Sequence, residues 1–142
     1  MDIIDLTKEE LVDNYCFVKI GEYSLQNNDL ISNYIGFTKK ELNVRKKLVY
    51  ALVVDDLVVY IGKTKTGFKR PLSYHKDYNN PEKKRRVHER IREVISKNKI
   101  EIFARVFKGE IKVENLDIEI NPYGGVEEAL INEFKPDWNK QK

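Results

Sequence analysis

From Leu48 to Thr64 the chain reads LVYALVVDDLVVYIGKT, two apolar runs rich in β-branched residues on either side of a pair of aspartates. This pattern predicts an antiparallel hairpin, with strands over 48–54 and 58–62 turning at Asp55-Asp56. The run 83–97, KKRRVHERIREVISK, places Val87, Ile91, Val94 and Ile95 at helical spacing. It predicts an amphipathic helix with a basic outer face. Residues 100–107 alternate and predict a third strand, and a second β-prone stretch, 111–120, leads into the breaker cluster NPYGG. A last helix is predicted over 126–134, stopping before Pro136. Thr7 with Glu10, and Thr38 with Glu41, have the spacing of capping boxes and predict two short helices. Between them CFVKI is compatible with a strand, while the polar, uneven stretch 21–35 reads as irregular. A helix is expected between Lys69 and Tyr78, with Pro71 in its first turn, and YNNPEKK breaks it.

Each strand of the hairpin carries a tyrosine, Tyr50 and Tyr60, and the turn decides where they point. A two-residue loop pairs Val54 with Leu57 and sends the two rings to opposite faces, because side chains alternate along a strand. An odd loop with a bulge pairs Leu52 with Tyr60 and puts both hydroxyls on one face. Val49, Ala51, Val53, Val59 and Ile61 then form an apolar opposite face for helices to cover. Local turn preference accepts the even loop; a shared site for the tyrosines requires the odd one.

At 142 residues, with 41% hydrophobic and 35% charged residues, the chain has the length and composition of one globular domain. Cys16 is the single cysteine, which excludes a disulfide framework or a cysteine-based zinc site. The two histidines are not paired at a metal-binding spacing. No stretch approaches the ~20 apolar residues of a membrane span, and the acidic start lacks a signal-peptide core. A reducing, cytoplasmic location is the expectation, with no membrane partner. The net charge of +3 is modest, but residues 63–92 concentrate lysine and arginine with tyrosines between them. That is the electrostatic footprint of a phosphate-binding surface.

Tyr50 within LVY, followed by YIG at 60–62, resembles the two-part signature of the GIY-YIG nucleases. Arg70, eight positions after Gly62, stands where that family carries its arginine. Near the C-terminus EEALINEFKPDWN supplies the family's glutamate and asparagine at their usual spacing, Glu127 and Asn139. Four ordered elements with matching gaps carry the resemblance, which covers residues 48–142 and, weakly, the part before them; phage- and restriction-type members are the most similar. Two positions depart from the pattern: Leu48 replaces the first glycine, and Tyr74 occupies the place of the histidine, with His75 one step later.

The resemblance implies an α+β fold, a short antiparallel sheet flanked by helices, with a catalytic core over 47–142. Residues 1–46 would then be an N-terminal extension, a candidate DNA-binding or oligomerisation element of a single domain. It implies hydrolysis of DNA phosphodiesters assisted by Mg²⁺ (or Mn²⁺). Magnesium keeps several waters and takes one or two carboxylates, so Glu127 alone suffices as its protein ligand. Glu127 is expected in the first turn of its helix, where the helix dipole would favour any glutamate. Arg70 offers a fork of donors to the phosphate. Tyr50 is the candidate that positions or deprotonates the attacking water, which requires Lys63, Arg70 and the metal to lower its pKa from ~10. Tyr60 orients a water or a phosphate. Tyr74 and His75 compete for an auxiliary base role, register favouring Tyr74.

Asn139 is expected to anchor the last turn by hydrogen bonds, Trp138 to lie in the core and His88 on the surface. Lys63, Lys65, Lys69, Lys76, Lys83, Lys84, Arg85 and Arg86 are the candidate contacts to the DNA backbone. One site cuts one strand, so double-strand cleavage implies a homo-oligomer, dimer or tetramer, on double-stranded DNA. The rival functions are a structure-specific repair or recombination nuclease and a non-catalytic DNA-binding module on the same fold.

Overall fold

The computed structural model describes residues 5–79, 86–108, 111–112 and 119–139. Five strands, β1 (Val18–Gln26), β2 (Asp29–Tyr34), β3 (Leu48–Val54), β4 (Leu57–Thr64) and β5 (Ile100–Val106), form one sheet in the order β2-β1-β5-β3-β4. Every pairing is antiparallel. The two-residue strands β6 (Ile111–Lys112) and β7 (Glu119–Ile120) pair separately. The helices are α1 (Lys8–Asp13), α2 (Lys39–Leu42), α3 (Tyr74–Tyr78), α4 (Arg86–Val94) and α5 (Tyr123–Phe134), and a 3₁₀ turn follows at Asp137–Asn139.

The alternation of β3 divides the molecule into layers. Leu48, Tyr50 and Leu52 face one core with Tyr23, Ile91, Ile95, Ile100, Ile102 and Trp138. Val49, Ala51 and Val53 face the other, with Leu6, Leu11, Phe103, Leu130 and Phe134. A central strand buried on both faces has to be apolar throughout, which explains the unbroken run 48–54. α4 docks on the first face through Val87, Ile91 and Ile95, the stripe expected from its spacing. Burial of each such side chain is worth roughly 1.5–3 kcal/mol. His88 is an exception to the sequence reading: it is fully buried, not on the surface. At helical spacing 88 stands three before 91 and seven before 95, so it falls on the apolar stripe itself.

Both predicted capping boxes form, with Thr7 and Thr38 as N-caps. The stretch 21–35, read as irregular, is instead most of the β1–β2 hairpin. Its turn is Asn27-Asn28, both residues with positive φ (51° and 68°), as at Asp55-Asp56 in the β3–β4 hairpin (51° and 65°). Asparagine and aspartate tolerate this left-handed geometry, the signature of two-residue hairpin turns. The N-terminal stretch is therefore built into the sheet: β1 pairs with β5 from Val18 opposite Ala104 to Tyr23 opposite Ile100, and the Val58 N–H donates to the Leu6 carbonyl at 2.9 Å. Lys8 and Lys19 share Glu101 at 3.2 and 2.8 Å, tying α1 to β1 and β5.

α5 starts at Tyr123, three residues before the predicted start, so Gly124 and Gly125 are helical instead of breaking the chain. Pro122 stands at the N-cap, and the Asn121 side chain accepts the Tyr123 N–H at 3.0 Å. One asparagine carboxamide pairs with each outer edge of the sheet, and residues 6–8 pair with the β4 edge as well. Asn79 takes the Leu30 N–H of β2 and gives to its carbonyl, both at 3.0 Å. Asn139 does the same to Ile61 of β4 at 2.8 and 2.9 Å. Each side chain imitates a neighbouring strand and leaves less of the edge open to pairing.

Candidate active site

The β3–β4 hairpin combines the two alternatives its sequence allows. The loop is the even one, Asp55-Asp56, with Val54 opposite Leu57 and Val53 opposite Val58. The register then shifts, so that Leu52 faces Tyr60 and Tyr50 faces Gly62. Val59 is the extra residue of this bulge. It packs toward the first core together with Tyr60, while Val58 takes the place expected for Val59 on the opposite apolar face. The outcome is the shared face: the Tyr50 and Tyr60 rings lie 6.1 Å apart.

Gly62 explains the abrupt end of YIG. A Cβ added there would lie 2.6 Å from the Cζ and hydroxyl of Tyr50. Glycine in a strand interior is the residue for such a close approach of side chain to backbone.

The segment after β4 folds back over the same face. The Tyr74 hydroxyl is hydrogen-bonded to that of Tyr50 at 2.7 Å, and the Arg70 guanidinium lies 5.3 Å from the centre of the Tyr74 ring. Tyr23, from the stretch read as irregular, fixes this arrangement. Its hydroxyl donates to the Pro71 carbonyl at 2.5 Å and accepts the Tyr74 N–H at 2.8 Å. Its contribution was not anticipated from sequence; only recognition of Asn27-Asn28 as a hairpin turn would have placed it in a strand.

Burial and the neighbouring Tyr60 push the Tyr50 phenol up to about 12, against the pull of Tyr74 and Arg70. Among the protein's own groups, desolvation of Tyr50 outweighs the pull of Arg70, and Lys63 acts on Glu127 instead. Burial pushes the Tyr74 phenol up as well. Tyr50 is 2% exposed, whereas Tyr60 is only partly buried and forms the outer member of the group. His75 is not part of the cluster: its Nδ1 is 3.4 Å from the Ser32 hydroxyl of β2, and burial lowers its pKa. Of the two candidates, Tyr74 is the one that joins Tyr50.

Glu127 is half-buried on α5, which packs against β3 and β4, while Glu128 is exposed. Because the helix begins at Tyr123, Glu127 stands in its second turn and not in the first. The helix dipole fades beyond the first turn, so it does not account for this residue. Burial pushes the Glu127 carboxyl up, Lys63 pulling it down and Glu128 adding to the rise. Lys63 follows Gly62 on β4 and pairs with Val49, whereas Gly62 pairs with Tyr50; because side chains alternate along a strand, α5 packs on the face opposite the tyrosines. Among the described residues no three His, Cys, Asp or Glu side chains cluster as a metal cage. A partly desolvated single carboxylate fits a hard divalent ion that keeps most of its waters, with the Lys63 ammonium competing for the same oxygens.

Asn139 holds the C-terminal turn on Ile61, next to Tyr60 on β4, and Trp138 is buried in the first core. Lys63, Lys65, Lys69 and Lys76 are exposed. Arg86 opens α4, whereas Lys83, Lys84 and Arg85 lie outside the described residues. No helix among the described residues is long and apolar enough to cross a membrane.

This fold is found in solved endonucleases. A restriction endonuclease in complex with product DNA aligns with a TM-score of 0.51 at 19% identity, covering 99% of this chain and 85% of that one, a likeness of fold alone. The nearer likeness is to a phage enzyme. The chain is homologous to Endonuclease II of Enterobacteria phage T4, 29% identical over 149 aligned residues that cover 94% of this chain and 96% of that protein. The structure of a point mutant of bacteriophage T4 EndoII aligns with a TM-score of 0.71 at 26% identity, over 95% of this chain and all of that one. The similarity thus takes in the N-terminal part as well as residues 48–142. No family model matches the sequence.

Proposed function

We propose that this chain is a DNA endonuclease of the GIY-YIG type that hydrolyses phosphodiester bonds with the help of Mg²⁺ or Mn²⁺. The observation that carries the proposal is the gathering of Tyr50, Tyr60, Tyr74 and Arg70 around the β3–β4 hairpin, on a fold shared with a homologous endonuclease. Glu127 would hold the cation, with Lys63 as the neighbouring charge. When bound, such an ion supplies Lewis acidity and stabilises the leaving oxygen.

The residues divide the remaining work. Arg70 is held over Tyr74 and offers fixed donors to the phosphate as charge develops. Tyr60 presents its phenol to the attacking water. Tyr50 and Tyr74 stay protonated at neutral pH, since burial raises both. Their role is to donate and accept hydrogen bonds that set the geometry, not to remove a proton as free phenolates. Asn139 keeps the strand that carries Tyr60 and Gly62 in place.

Incubation of supercoiled plasmid with the protein and Mg²⁺ should convert it to nicked and linear forms, and EDTA should prevent this. Glu127→Ala should abolish cleavage while leaving the thermal melt and DNA binding close to the parent. An uncut plasmid under these conditions would sink the proposal. Full activity in Glu127→Ala together with loss in Glu128→Ala would move the metal ligand by one residue.

A further inference from the structure

The segment 69–76 has two sides, and the chemistry above uses only one. Arg70 and Tyr74 turn toward Tyr50. The residues beside them turn the other way, into a cavity of about 240 Å³ between the segment and β2, lined by Ser32, Tyr34, Lys69, Ser73, His75 and Lys76 among others. Two lysines, three hydroxyl-bearing residues and a histidine line it beside Leu42 and Leu72, with no acidic residue among the described lining residues. The walls are positioned by the fold. Ser73 donates to the Arg70 carbonyl at 2.8 Å, and His75 approaches Ser32 at 3.4 Å. Asn79 pins the end of the segment to the β2 edge. Tyr34 stacks on Phe37 with ring centres 5.1 Å apart. Lysine is a point charge suited to phosphate, and neutral hydroxyl and ring donors supply direction to the same oxygens.

We infer that this cavity is a second phosphate subsite, which holds a backbone phosphate of the bound nucleic acid other than the one being cut. The inference rests on the nuclease reading for the identity of the ligand and uses His75, Ser32 and Ser73, which that reading leaves without a task. Because Lys69 and Ser73 flank the residues that face the tyrosines, a phosphate seated here would hold the strand in register with Arg70.

The test is fluorescence anisotropy with a 20-base-pair DNA duplex, titrated at several salt concentrations. The Lys69→Ala/Lys76→Ala variant should bind more weakly, with a log–log salt slope shallower by about 1, since one phosphate contact contributes roughly 0.9. Ser32→Ala and His75→Ala should each weaken binding several-fold while leaving the slope nearly as in the parent. Thermal melts show that each variant is folded; should the double variant unfold, Lys69→Gln alone replaces it. An unchanged slope in the lysine variant overturns the subsite. So does parental affinity in both Ser32→Ala and His75→Ala, which would leave only diffuse attraction by surface charge. A parent that binds duplex with the expected variant losses but does not cut plasmid in Mg²⁺ would remove the nuclease reading and leave the subsite standing.

Discussion

Gly62 shows how one residue connects backbone, packing and chemistry. The Tyr50 ring lies against its Cα, so a methyl group there would stand 2.6 Å from the phenol. Gly62→Ala should therefore destabilise the protein by about 1–3 kcal/mol, the usual cost of forcing atoms into a filled core. It should also displace Tyr50 and lower cleavage more than the stability loss explains; urea melts with plasmid assays measure both. The buried tyrosines lead to a prediction about alkaline pH. A phenol whose pKa rises from the ordinary 10.0 to about 12 on folding keeps its proton longer in the native state than in the unfolded chain. The stability this gives is complete below pH ~10 and is lost as pH rises from ~10 to ~12, at most about 3 kcal/mol at 1.36 kcal/mol per unit. Urea midpoints should fall across that window in the parent and fall less in Tyr50→Phe. Equal losses in both would mean that Tyr50 is not the group responsible.

At the scale of elements, one asparagine side chain pairs with each sheet edge. Asn139 satisfies the N–H and carbonyl of Ile61 on β4, and Asn79 those of Leu30 on β2. Replacing either by alanine removes two hydrogen bonds, with an expected cost of about 1–3 kcal/mol. The consequences should be local and different. Hydrogen exchange at the Ile61 amide should accelerate in Asn139→Ala, with a loss of cleavage because Tyr60 and Gly62 share that strand. Exchange at Leu30 should accelerate in Asn79→Ala, accompanied by weaker DNA binding through the subsite on the segment 69–76. Acceleration at both edges in either variant would show that the edges open together and that the division is wrong.

For the molecule as a whole, the tyrosine cluster forms around a single hairpin, and the proposed function gives it one reacting centre per chain. A duplex has two strands of opposite polarity, so cutting both in one encounter calls for two centres related by symmetry. The expectation is that the protein acts on double-stranded DNA as a dimer or larger homo-oligomer. Light scattering of the complex with a duplex should report at least two chains per DNA wherever linear product appears without a build-up of nicked plasmid. One chain per duplex combined with efficient linearisation would contradict this.

Much of this protein is fixed by its sequence at short range. The capping boxes at Thr7 and Thr38, the Asp55-Asp56 turn and the stripe Val87, Ile91, Ile95 depend on neighbours a few residues away, and all of them form. Tyr50, Tyr60 and Arg70 were legible because spacing along the chain carries the motif. The Asn27-Asn28 turn was equally legible, but the polar residues of 21–35 conceal a hairpin whose outer strand lies at the sheet edge, where one side stays wet. Tertiary structure decided the rest. The register that brings the two tyrosines to one face comes from a bulge at Val59, and alternation alone cannot count a residue that is left out of the ladder. The protonation of Tyr50 was decided by burial: desolvation and Tyr60 outweigh the opposing pull of Tyr74 and Arg70, groups 10 to 24 residues away in sequence. His88 became a core residue for the same reason, since a helix acquires an inside only when a sheet lies against it.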